Sequence, residues 1–149
     1  MSRPVGTDPD WRPPHAYVPG QTPRHPEGLF DPHKTDIASV PYTRLHETQA
    51  WALGLAFLSE GFAWEAHEMF EAIWLVCPPN SAEKLFVQAL IQQANAALKL
   101  RMGRKKAAER LRITADQLLA EAFGRASGEI FGVSRPDNGG GGVAKNRDD

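Results

Sequence analysis

The sequence predicts an all-α protein, an antiparallel bundle of about four helices preceded by an extended, Pro-rich N-terminal arm. Three observations predict it. Nine of the twelve prolines fall in residues 1–41, and between Tyr42 and Ala126 the only prolines are the adjacent Pro78 and Pro79. Ala, Leu, Glu, Lys and Arg dominate that middle stretch, and these side chains lose little freedom in a helix. No convincing strand and no internal repeat is visible.

Residues 1–41 form the arm. Proline at this density removes backbone donors and fixes φ, which excludes regular helix and sheet. Trp11, Tyr17, Val18, Leu29 and Phe30 are nevertheless spread through it. A disordered linker rarely carries so many large apolar groups, so "AYVPGQTPRHPEGLFD" is expected to lie across the helical body. Residues 42–126 form that body, and breakers divide it into four segments. The first runs from Thr43 to Ser59, before Glu60-Gly61, and the second from Phe62 to Val76, before "CPPN". The third runs from Ser81 to Met102, before Gly103, and Asn80 followed by Glu83 resembles a capping box at its start. The fourth runs from Arg104 to Phe123, before Gly124. Residues 127–149, ending in "GGGGVAKNRDD", are expected to form a flexible tail. Short connections make consecutive helices antiparallel neighbours.

The net charge is −1, so nothing global points to nucleic acid or to a membrane surface. Cys77 is the single cysteine, which excludes an intrachain disulfide and fits a reducing compartment. The N-terminus lacks the apolar run of a signal peptide, and no apolar stretch is long enough to span a membrane. A soluble, cytoplasmic protein without a membrane partner is expected. Charge is unevenly placed. Lys99 to Arg112 holds seven basic residues against Glu109, whereas Thr43 to Val76 holds five glutamates against Arg44. The basic end is expected to complement the acidic hairpin, within one chain or between two, and nucleic acid is not the expected partner.

The stretch "WEAHEMFEAIWL", residues 64–75, places His67 and Glu71 one helical turn apart with Trp74 just beyond. At 100° per residue, Phe62, Ala66, Met69, Phe70, Ile73 and Val76 fill an apolar arc, and Glu65, Glu68 and Ala72 a solvent face. Glu60, His67, Glu71 and Trp74 lie on the border between them, beside Trp64. On the third segment Gln88, Gln92, Asn95 and Lys99 share one stripe, with uncharged amides where a solvent face would carry charge. A hairpin turning near Pro79 puts Glu71 opposite the neighbourhood of Gln88 and His67 opposite that of Gln92. A hairpin turning near Glu60 puts Glu71 opposite Gln49, about one turn from His46. The candidate polar site is therefore His67, Glu71, Trp74, Gln88, Gln92, Gln49 and Trp64.

The pattern H-x-x-x-E-x-x-W formed by His67, Glu71 and Trp74 resembles the signature of domain-of-unknown-function family 309. The stretches "FLSEGFAWEAHEMFEAIW" and "FVQALIQQANAALKLRMGRKKAAERL" look like that family's first hairpin and next two helices. The resemblance covers roughly Leu53 to Leu119. It implies an all-helical fold and no known reaction. It also implies a metal-binding role for the motif's His and Glu, here His67 and Glu71. The third helix of such proteins often ends in a Gly-Asn turn, whereas this chain has "MGRKKAA", so nothing carries over to that loop.

Several readings of the pair stand side by side. In the first, His67, Glu71 and the glutamines form a hydrogen-bonded network that fixes helix register. In the second, a divalent metal ion is held by His67 and Glu71, with His46 or an arm histidine (His15, His25 or His33) as third ligand. In the third, a small-molecule or anion pocket lies under the arm. A helical interaction module, forming a homodimer, is a further alternative. Whether the chain is an enzyme is left open by its sequence.

Overall fold

The computed structural model describes residues 8–135. The first seven residues of the expected arm and residues 136–149 of the expected tail lie outside the described residues. Within them the protein is all-helical, with six helices and no strand. Two are 3-10 helices, Asp31–Ser39 and Tyr42–Glu47. Four are α-helices: α1 (Gln49–Glu60), α2 (Ala63–Leu75), α3 (Ala82–Arg101) and α4 (Lys105–Arg125). Each α-helix packs on the next, and the 3-10 helix Asp31–Ser39 packs on α1 and α2.

The first segment begins later than its composition predicts. Thr48 leaves the helical region (φ −85°, ψ 157°), and its Oγ1 accepts the Trp51 N–H while donating to the Leu45 carbonyl. A threonine hydroxyl that satisfies an orphan amide in this way starts a helix rather than continuing one. Residues Tyr42–Glu47 are left as a 3-10 turn, with Arg44 off the helical region. The start of α3 also differs from expectation. Ser81 is the cap, its Oγ accepting the Lys84 N–H at 3.1 Å, while Asn80 turns the chain at φ 66°. Asn80 tolerates that left-handed conformation better than most residues, which explains its place one residue earlier than a cap.

Gly61 ends α1 at φ 90°, a conformation that favours glycine. Gly54 has a different purpose: a Cβ there would sit 2.8 Å from the Phe70 ring, so its absence lets α1 and α2 approach. The core runs through Leu53, Phe57, Met69, Phe70, Ile73 and Val87, all fully buried. It extends beyond the four α-helices in both directions. Val18, Phe30 and Ile37 contribute from the N-terminal side, and Trp11 stacks its edge on Phe30 at 5.5 Å. Past α4, Ile130 and Phe131 are buried, and Phe131 meets the Trp51 ring at 4.8 Å. These two residues belong to the stretch expected to be a loose tail. Two apolar side chains suffice to fix a short segment when each fills a core position.

Cys77 is buried below Ile73, whose carbonyl its thiol approaches at 3.5 Å. Burial pushes the thiol up to about 11, so it stays protonated and unreactive near neutral pH.

Candidate functional site

Helix α2 carries the polar residues of interest, and the N-terminal segment decides their surroundings. Glu65 was expected on the solvent face. It is fully buried, because residues 15–30 cross that face of α2. The helical wheel reports the hydropathy of α2 alone and not what is laid over it. Glu65 Oε2 accepts the backbone N–H of Tyr17 at 2.6 Å and Nε2–H of His25 at 2.6 Å. Facing an acceptor oxygen fixes the His25 proton on Nε2. The His25 side chain is 2% exposed. Its Nδ1, and Oε1 of Glu65, are buried and have no hydrogen-bond partner in the protein.

Aromatic rings frame this pair. His25 lies 4.7 Å from His15, 5.2 Å from Phe30 and 5.9 Å from Trp64, and Tyr17 meets Trp64 edge-on at 5.3 Å. His15 is itself held by the Pro23 carbonyl, 2.8 Å from its Nε2. On the outer side of His25 is a cleft of about 440 Å³, walled by Tyr17, Trp64, Phe30 and the chain from Arg24 to Asp31, with Glu68 at its edge. Lys34 Nζ holds Glu68 at 3.0 Å. A carboxylate that orients an imidazole through one nitrogen leaves the other nitrogen to bond or exchange a proton with a third group. The wheel expected Glu68 to be exposed; it is partly covered by Lys34.

The residues chosen from the sequence are placed around a different centre. His67 Nε2 and Glu71 Oε2 are 3.4 Å apart, with side chains 23% and 53% exposed. The His67 ring lies 6.3 Å from Trp64, which joins the pair to the far side of the cleft wall. Trp74 faces α3, where Lys84 Nζ sits 3.9 Å above its ring. That pairing is the one the predicted turn near Pro79 gives. Gln88, however, lines a cavity of about 350 Å³ with Lys84, Leu85, Glu121 and Arg125, on the α4 side of α3. Gln92 is half-buried on the same helix. Among the described residues no hydrogen bond joins Gln88 or Gln92 to His67 or Glu71. Gln49 donates its backbone N–H to Asp36 Oδ2 at 2.5 Å, and its side-chain Nε2 is buried without a partner, as are His67 Nδ1 and Trp74 Nε1.

The metal reading meets a geometric obstacle. His46 lies against Phe131, ring to ring at 5.7 Å, and close to Gly132. Among the described residues no group of three or more His, Cys, Asp or Glu side chains is arranged to hold a metal ion. His46 therefore does not join His67 and Glu71, and neither do the histidines of the N-terminal segment. His25 is instead committed to Glu65, and His33 stacks on Trp11 at 3.9 Å. Sequence reasoning missed Glu65 and Tyr17 as site residues and named His25 only as a spare ligand. One signal could have found them: a segment rich in aromatic groups and histidine, expected to cross the helical body, must cover some face of it.

No described helix is long and apolar enough to cross a membrane. No curated protein and no solved structure matches the chain. The covering segment that supplies His25 and Tyr17 precedes the part of the chain for which a relationship is found. Residues 51–111, which run from α1 into α4 and include Glu65, His67, Glu71 and Trp74, match the model of the family described as "Domain of unknown function (DUF309)".

Proposed function

We propose that this chain is a cytoplasmic small-molecule-binding protein. In this reading an antiparallel four-helix bundle carries a Pro-rich arm, and the arm folded over α2 makes the binding cleft. The observation that carries it is His25: a side chain 2% exposed, anchored through Nε2 to the buried Glu65, with Nδ1 unpartnered, in the wall of a cleft of about 440 Å³. A concave pocket of this size with aromatic walls is a usual form of small-ligand site, and Arg24, Glu27, Asp31 and Glu68 make its rim polar. Tyr17 and Trp64 supply flat apolar surface, and His25 supplies one oriented hydrogen-bonding nitrogen. Glu65 is the positioning residue that holds the imidazole. His67 and Glu71, reached through Trp64, form a second polar edge to the same region. One buried polar atom without a protein partner, His67 Nδ1, supports that extension.

The test is a saturation-transfer NMR screen of a library of metabolite-sized amines, carboxylic acids and purines. Binders are expected whose signal disappears in Trp64→Ala and weakens in His25→Gln. Binders indifferent to both substitutions, or a screen without binders, would refute the cleft as the site.

A further inference from the structure

The acidic hairpin and the basic end of this chain do not neutralise each other. Arg12 binds Glu60 with both nitrogens, at 2.8 and 2.9 Å, His25 binds Glu65, and Lys34 binds Glu68. Glu47 is held by Arg44 and Glu71 lies beside His67. The five glutamates of α1, α2 and the preceding turn are thus answered locally, three of them from the N-terminal segment. Around the α3–α4 turn Lys99, Arg104, Lys105, Lys106 and Arg110 form no ion pair among the described residues.

One of those cations, Lys105, borders an apolar groove, and the others are its neighbours in sequence. Ala96, Ala97, Leu100 and Ala108 form its floor between α3 and α4, in a depression of about 450 Å³ edged by Lys105 and Arg112. A second depression, of about 250 Å³, shares Ala97 and Leu100 and adds Gly61, Ala63 and Arg101. Leu100 is 59% exposed within it. The one carboxylate on the rim, Glu109, is already engaged by Arg112 at 2.6 Å. Alanines in a floor leave space for large side chains of a partner, and the free cations select its charge. Lys105 and Lys106 also occupy the first turn of α4, which has no acidic residue and no side-chain cap. Cations are disfavoured at that positive pole of a helix, so local stability does not account for them.

We infer that the α3–α4 groove is a docking surface for an acidic, amphipathic helical segment of another protein. Its leucine-type side chains would enter the alanine-floored depressions and its carboxylates would meet Lys105, Arg101 and Arg104. Nucleic acid fits less well, because the groove's residues include no aromatic ring on which a base could stack.

The experiment is fluorescence polarisation with the full chain and a labelled designed peptide carrying leucines at i, i+3, i+4 and i+7 and glutamates opposite. Saturable binding is expected, weakened about tenfold in Leu100→Ser and in Lys105→Glu. Thermal melting of Lys105→Glu should be unchanged or raised, since it places a carboxylate at the helix N-terminus; loss of binding then cannot be unfolding. Three outcomes overturn the inference. One is equal binding of the same peptide with serine in place of leucine, which means charge alone. Another is tighter binding of an RNA oligonucleotide of equal charge. The third is a sedimentation mass showing that a second copy of the chain occupies the groove and excludes the peptide.

Discussion

Glu65 and Glu71 stand on the same helix, each with a histidine as its partner, and the two pairs have opposite settings. Glu65 is fully buried against His25, and its oxygen also accepts the Tyr17 amide. Glu71 is more than half exposed, and its contact to His67 is a longer 3.4 Å. The difference does not lie in residue type or in α2. It lies in coverage: the N-terminal segment crosses one face and leaves the other open. A His–Glu pair in water contributes little, because solvent and salt screen it. Under cover the same pair must be kept intact, because a charge left without its partner cannot recover its hydration.

The largest expected effect comes from breaking the covered pair. His25→Ala leaves the Glu65 carboxylate buried with one amide donor, and should cost about 3–5 kcal/mol in urea unfolding. Replacing both partners by apolar groups, Glu65→Leu with His25→Phe, should restore most of that loss, because no unpaired charge remains. If the double replacement is as unstable as the single one, the loss comes from packing and not from charge.

Removing what holds the cover in place should come next. Phe30 contacts the rings of Trp11, Phe57 and Trp64. Phe30→Ala should cost up to about 3–5 kcal/mol. It should also speed hydrogen exchange at the Tyr17 amide while leaving the amides of α3 protected. Uniform loss of protection would mean that the segment and the helices unfold as one unit.

The clasp between Arg12 and Glu60 lies between the two extremes, with side chains 30% and 43% exposed. Hydrogen bonding to Arg12 holds the Glu60 carboxyl below its ordinary range. Its stabilising contribution is therefore present above the ordinary carboxylate value and is lost as pH falls through the depressed one. Acid titration of stability should show a shallower decline in Arg12→Gln than in the unmodified chain. Identical acid limbs would show that the clasp contributes nothing.

The smallest effect should follow from the open pair. Glu71→Ala should change stability by about 0.2–0.5 kcal/mol, as for other exposed i,i+4 pairs. A loss of several kcal/mol would show that His67 and Glu71 are covered in solution, and the contrast with Glu65 would collapse.

Much of the scaffold could be read from local chemistry. The spans predicted for α2 and α3 agree with the observed helices to within a residue at each end, because helix-favouring runs there stop at strong breakers: Gly61, Pro78-Pro79 and Gly103. The start of α1 was not legible, because Thr48 fits a helix interior or a cap until its hydroxyl finds an amide. The role of Ser81 was hidden similarly by the adjacent Asn80, which has the same capping chemistry. The site was legible only in part. His67 and Glu71 were recognisable by spacing along one helix. Glu65 was not, since its partners come from residues forty and more positions away.

The sequence by itself determined that the chain is helical, where its breakers fall, and that aromatic groups among the prolines of residues 1–41 must be buried somewhere. These follow from propensity and periodicity, which act over one or two helical turns. Only the tertiary structure decided which face of α2 those residues cover, that Ile130 and Phe131 close the far end of the core, and that Gln88 turns toward α4. The physical reason is that burial depends on what is packed against a side chain, and a charged residue such as Glu65 becomes an interior group only when distant parts of the chain bring it a donor.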